Sequence, residues 1–259
     1  MRSHRPMLGQ YALVWLVILL LCSSIPFIAS AAETVEKPSR GWDDIWQQRT
    51  SIDQAELLRA YRLEQQGRHK EALAIVDKAL ARYPNNWLPH FVKAAILGRM
   101  QKRELALKEF DSALDLARKG APPQVVFILY RFKALVNLAL GRNRPALDAL
   151  EQSIKMEQDD VFVLNNLAWV LATAKEADLR NPARAEYYAK KCCELTHWKS
   201  ATALDTLAAA EAASGKMTDA VKHERQAVAR IQPAERQYAL AAMQAREQIY
   251  LAGRSYVEM

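Results

Sequence analysis

Fifteen small residues recur in three registers along this chain, and that recurrence restricts its folding more than any other feature. The first register holds Ala60, Ala94, Ala134, Ala168 and Ala208, the second Ala72, Ala106, Ala146, Ala185 and Ala220. The third holds Ala79, Ala113, Ser153, Cys192 and Ala227. Gly67, Gly141 and Gly215 each precede a second-register residue by five positions, and Pro84 and Pro233 stand just past expected helix ends. Only eight of the 259 residues are Gly, too few for the many tight turns of an all-β fold. The composition, 51% apolar and 25% charged, is ordinary for a globular chain, and three Cys exclude a disulfide-dense mini-domain.

These residues resemble the tetratricopeptide repeat family, whose pattern has small residues at repeat positions 8, 20 and 27, a frequent Gly at 15 and a frequent Pro at 32. The resemblance implies an all-α, right-handed solenoid of about five helix pairs, covering 53–86, 87–120, 127–160, 161–199 and 201–233. In such a fold small side chains lie where antiparallel helices cross, so that backbones approach closely.

First-register spacings are 34, 40, 34 and 40 rather than a constant 34. One insertion falls near Lys119–Pro123, as a loop between repeats, and the other in the connector from Ala174 to Pro182. Residues 164–196 and 203–216 also resemble the C-terminal ends of many exported bacterial members of the family. After the repeats, 234–259 reads as a capping helix and tail, with Tyr238, Ala242, Ala245 and Ile249 as the buried stripe and Arg246 on the polar face.

Arg2 and Arg5, the apolar run Tyr11–Cys22 and the small residues Ala29–Ala32 form a signal-peptide pattern, 1–32, with cleavage after Ala31 or Ala32. An uncleaved inner-membrane anchor is the alternative, since Tyr11 to Ala32 is long enough to span a bilayer. Both place the remainder outside the cytoplasm, as a periplasmic, secreted or anchored protein. Residues 33–52 form an N-terminal extension in which Trp42 and Trp46 sit one helical turn apart and are expected to pack on the first repeat. Without 1–32 the net charge falls from +7 to +5, with no Lys/Arg cluster, so no nucleic-acid partner is implied.

No enzyme signature is present. The five His form no spaced ligand set, and GxSxG, GxGxxG and Gly-rich phosphate loops are absent. Asp43–Asp44 and Asp159–Asp160 read as helix starts. Cys192 and Cys193 align with small and apolar slots and are expected to be buried apolar residues rather than metal ligands, with a redox role left open by the sequence. No cofactor is expected.

What remains is surface. The resemblance puts positions 2, 5, 9 and 12 of each repeat on a concave groove, here including Leu57, Tyr61, Phe91, Arg131, Leu135, Phe162, Asn165, Trp169 and Asp205. Such a groove suits an extended peptide or partner helix. The expected function is that of an exported protein–protein interaction scaffold, an adaptor or assembly factor in a bacterial envelope. The alternative is a self-associating structural subunit, hence a homo-oligomer. A membrane is expected to be met only through the N-terminal segment.

Overall fold

The computed structural model describes residues 54–233 and 235–258. The signal or anchor segment and the extension with Trp42 and Trp46 lie outside the described residues. Among the described residues there are eleven α-helices, one short 3-10 helix and no strand. The helices are α1 Gln54–Gln65, α2 His69–Arg82, α3 Trp87–Arg99, α4 Arg103–Ala117, α5 Pro123–Ala139 and α6 Asn143–Met156. They continue with α7 Val161–Thr173, the 3-10 helix Ala177–Leu179, α8 Pro182–Leu195, α9 Ala201–Ala213, α10 Met217–Arg230 and α11 Arg236–Leu251.

The chain forms two compact units, one ending at Leu129 and one beginning at Tyr130. Within the first, α1 packs on α2, α2 on α3 and α3 on α4, and α1 also touches α3. Within the second, contacts run in sequence from α6 to α11, and α7 also touches α9. Each helix meeting the next, and inner helices meeting each other, is the contact pattern of stacked helix pairs.

All fifteen small-register residues are 0% exposed. A side chain no larger than Ala, Ser or Cys at each crossing leaves room for the opposing backbone. Larger neighbours such as Phe110, Leu150 and Leu204 fill the space alongside. Inner helices differ from outer ones in how much they bury. Helix α9 buries eleven residues and is enclosed on every side, whereas outer helix α2 buries only the stripe Ala72, Val76 and Ala79.

Local signals set the helix ends. Asn86, Asp160, Asn181 and Ser200 accept hydrogen bonds from the backbone N–H groups of Leu88, Val163, Arg184 and Ala203. Between the paired helices, Gly67, Gly141 and Gly215 adopt positive φ of 74°, 67° and 79°. Each turn closes with a bond from the following N–H to a carbonyl five residues back, as from Arg68 to Leu63. The second repeat has no Gly at this position, and Gln101 takes the same left-handed conformation at φ 59°.

One helix boundary differs from the sequence expectation. Helix α5 starts at Pro123 rather than 127, so part of the first insertion lengthens a helix instead of a loop. The second insertion is an ordered connector. Leu179 is buried, Asn181 N–H donates to Leu171 O, and Asn143 Nδ2 donates to Glu176. Cys192 and Cys193 are both buried free thiols. Burial pushes both thiols up, Cys193 to about 12, which leaves them poor nucleophiles.

Two outcomes follow for stability. Ala106→Phe should lower stability by roughly 1–3 kcal/mol or more, while Leu105→Phe at the exposed neighbouring position should change it by less than about 0.5 kcal/mol. Gln101→Gly should raise stability by about 1 kcal/mol, because it removes the penalty of an L-residue in the left-handed region. Thermal denaturation of the three variants checks both.

Candidate binding face on the inner helices

The nine residues expected to line the groove fall into two groups. Leu57, Tyr61, Phe91, Leu135, Phe162 and Asp205 are buried, whereas Arg131, Asn165 and Trp169 are half-buried. Leu57 and Asp205 have no exposed surface, which corrects their placement on an open groove. Phe91 is 5% exposed, with Trp87 at 6.4 Å and Phe110 at 6.0 Å between ring centroids. It is core of the first unit rather than an exposed anchor. The apolar side chains at positions 5 and 9 are long enough to reach neighbouring helices, and burying them there is favourable without any ligand.

The half-buried residues belong to the second unit. Arg131 stacks its guanidinium over Phe162 at 4.7 Å and lies 3.5 Å from Asp160. Asn165 has a buried Oδ1 with no hydrogen-bond partner, an acceptor still open to an N–H. Trp169, one helical turn further on, donates its indole N–H to the carboxylate of Glu258 at 2.6 Å.

Glu258 belongs to a segment following α11 that lies back against α7. Its own N–H donates to Thr173 O at 2.8 Å, satisfying a carbonyl that the helix end leaves open. Tyr256 packs on Trp169 with ring centroids 5.9 Å apart. The Arg246 guanidinium faces both rings, 5.3 Å from Trp169 and 5.6 Å from Tyr256.

Arg246 is held from below. Its Nε and Nη2 donate to the two carboxylate oxygens of Asp205, at 2.7 and 2.9 Å, in a buried bidentate pair. Glu224 Oε1 lies 3.7 Å from Arg246 Nε, and neither Glu224 oxygen has a hydrogen-bond partner. Two acids thus share one cation in a water-poor site. Burial and the neighbouring Asp205 push the Glu224 carboxyl up to about 10, so it carries a proton at neutral pH. Burial also raises Asp205, with Arg246 opposing it.

The sequence pattern puts Arg246 on the polar outer face of the last helix. The structure buries it to 5% exposure, and the buried stripe is Met243, Arg246 and Tyr250, one residue later than expected. A charged side chain inside is stable here only because Asp205 waits on α9. One signal for the cluster was present in the sequence. The position four after the second register holds Val76, Phe110, Leu150, Ala189 and then Glu224, all 0% exposed. An acid in that series marks an ionic core. Nothing in the register pattern marks Tyr256 or Glu258.

Among the described residues, no group of three or more His, Cys, Asp or Glu could hold a metal ion. No helix among them is long and apolar enough to cross a membrane.

Small buried crossings, left-handed turns between paired helices and a partly exposed inner face define a helical-repeat protein. Residues 53–96 match the tetratricopeptide repeat model, and the described residues have the all-α helical-repeat fold of tetratricopeptide solenoids. No curated protein sequence matches it. Solved structures with the same fold include YrrB, described as a TPR protein with an unusual peptide-binding site. It is 16% identical, with a TM-score of 0.60 over 81% of this chain and 98% of that one. MamA from Desulfovibrio magneticus is 18% identical, with a TM-score of 0.58 over 73% and 98%. A putative kinesin light chain from Podosopora anserina, with nearly identical TPR-like repeats, is 14% identical, with a TM-score of 0.55 over 72% and 96%. The fold supports protein–protein interaction in general, and the repeat family is typically a non-catalytic scaffold.

The ionic core gives a signed pH dependence. Glu224 keeps its proton in the folded chain up to about pH 10, whereas the unfolded chain loses it near the ordinary 4.5. The folded state therefore binds more protons between these values, and this contribution to stability falls as pH rises through that window. Glu224→Gln should flatten the decline and make the variant more stable than the parent at pH 8–9, by about 1–3 kcal/mol. Asp205→Ala, which leaves Arg246 buried and unpaired, should cost about 3–5 kcal/mol. Thermal melts from pH 5 to 9 check both, and parallel profiles for parent and Glu224→Gln would contradict the first.

Proposed function

We propose that this protein is an exported interaction scaffold of a bacterial envelope, an adaptor or assembly factor that holds an extended segment of a partner protein against its inner helices. The observation that carries this reading is the mode in which residues 254–258 lie on α7. An extended stretch of chain meets this face through one main-chain hydrogen bond and two side chains, Tyr256 and Glu258. A partner peptide would use the same kinds of contact. The open acceptor of Asn165, one turn before Trp169, extends the polar contacts available to it. Export rests on the basic, apolar and small-residue pattern of residues 1–32.

Two measurements test the reading. The mass of the protein isolated from cells should be short by about 31 or 32 residues, or full-length in the membrane fraction if the segment anchors it. A full-length cytoplasmic protein would overturn export. For binding, Asn165→Ala is a clean probe, because it removes an acceptor that the fold leaves unpaired. It should leave the melting temperature unchanged or slightly raised while weakening the partner captured from envelope extracts about three- to tenfold. Undiminished capture by Asn165→Ala and by Trp169→Ala, with helical content intact, would move the site off this face.

A further inference from the structure

We infer that the segment Arg254–Glu258 is a resident ligand of the α7 face, and that the partner segments competing for it carry an aromatic residue followed two positions later by a carboxylate. This inference rests on the interaction-scaffold reading and names the partner chemistry of that face.

The site is built independently of the segment that fills it. Arg246 is fixed by its bidentate bond to Asp205 on α9, and Trp169 and Thr173 stand one turn apart on α7. Together they present a cation face, an aromatic ring with an indole N–H, and a carbonyl at a helix end. Their spacing selects a ligand. Tyr256 meets the Trp169 ring and the Arg246 guanidinium, and Glu258 gives its carboxylate to Trp169 Nε1 and its N–H to Thr173 O.

The docked segment adds one side chain to the core, Tyr256, which packs against the cluster of Ala208, Ala212, Ala220 and Tyr250. Ser255 and Val257 point outward and are exposed, while Tyr256 and Glu258 are only half-buried. This is the alternation of an extended chain, in which every second side chain faces the surface beneath. Release would expose one aromatic face and reopen two hydrogen-bonding groups. A partner segment with the same two side chains would satisfy both, so exchange costs little beyond freeing the tether. Because the segment follows α11 after a short turn, its effective concentration at the site is on the order of 1 mM. Only partners at high local concentration, or with further contacts, would displace it.

The test uses a fluorescein-labelled synthetic peptide, Arg-Ser-Tyr-Val-Glu-Met, matching residues 254–259, with a Tyr-to-Ser and Glu-to-Gln peptide as control. Fluorescence anisotropy is measured against the full chain and against the same chain ending at Gly253. The labelled peptide should bind the shortened chain at least about tenfold more tightly than the full chain, and the control peptide should bind neither. Trp169→Phe in the shortened chain, which keeps a ring but removes the indole donor, should weaken binding about three- to tenfold. Equal affinity for both chains would overturn the inference, as would no binding to a shortened chain whose circular dichroism is unchanged. If the shortened chain does not fold, full-length Tyr256→Ser/Glu258→Gln takes its place, and failure of that folded variant to bind the peptide overturns it equally. The broader reading fails separately. If envelope partners are captured equally by full and shortened chains but lost in Asn165→Ala, the scaffold stands and the resident ligand does not.

Discussion

The absence of clearance at the helix crossings is the constraint on which the rest of this structure depends. Fifteen positions admit nothing larger than Ser or Cys, and all are 0% exposed. Close backbones bring larger apolar side chains into contact across two or three helices at once, which is where most of the burial arises. The left-handed turns at Gly67, Gly141 and Gly215, and at the strained Gln101, reverse the chain tightly enough to keep paired helices in that register. The binding face is a by-product of the same geometry. Helix α7 is buried on most sides, and what remains uncovered includes Asn165 and Trp169.

In the second unit, one cation organises several elements. Arg246 on α11 reaches Asp205 on α9, lies near Glu224 on α10, and presents its face to Trp169 on α7 and to Tyr256 beyond α11. Glu224, pushed up to about 10 by burial, keeps its proton, while Asp205 holds Arg246 through two hydrogen bonds. An ion pair alone is weak grounds for stability, because desolvating both charges offsets much of their attraction. Its value here is positional. A guanidinium held by two bonds from one side offers a fixed surface to aromatic rings on the other.

The helices, their pairing and the buried registers were legible in the sequence because each depends on local periodicity. Ala60, Gly67, Ala72 and Ala79 can be read without knowing what they touch. The face was less legible, because position within a repeat says which way a side chain starts and not how far its neighbours reach. Phe91 and Asp205 share a repeat position with Asn165, yet one is stacked between aromatics, one is consumed by an ion pair and one keeps an open acceptor. The burial of Arg246 escapes the sequence pattern for the same reason. An arginine reads as surface until the acid beneath it is known, and that acid lies 41 residues earlier. Residues 254–258 carry no periodic signal, since an extended segment takes its conformation from the surface it lies on.

Repeat arrays change in evolution by gaining and losing whole repeats, and the small crossings make most pairs interchangeable at their contacts. Glu224 breaks that interchangeability. It occupies the core position that Val76, Phe110, Leu150 and Ala189 fill elsewhere. Copied beside the inner helices of the first two repeats, α10 would set its acid against Leu57 or Phe91 instead of the Asp205–Arg246 pair. Helices α9, α10 and α11 are therefore an inheritance unit: duplication or loss can run through the pairs before them, but this trio must travel together or be rebuilt.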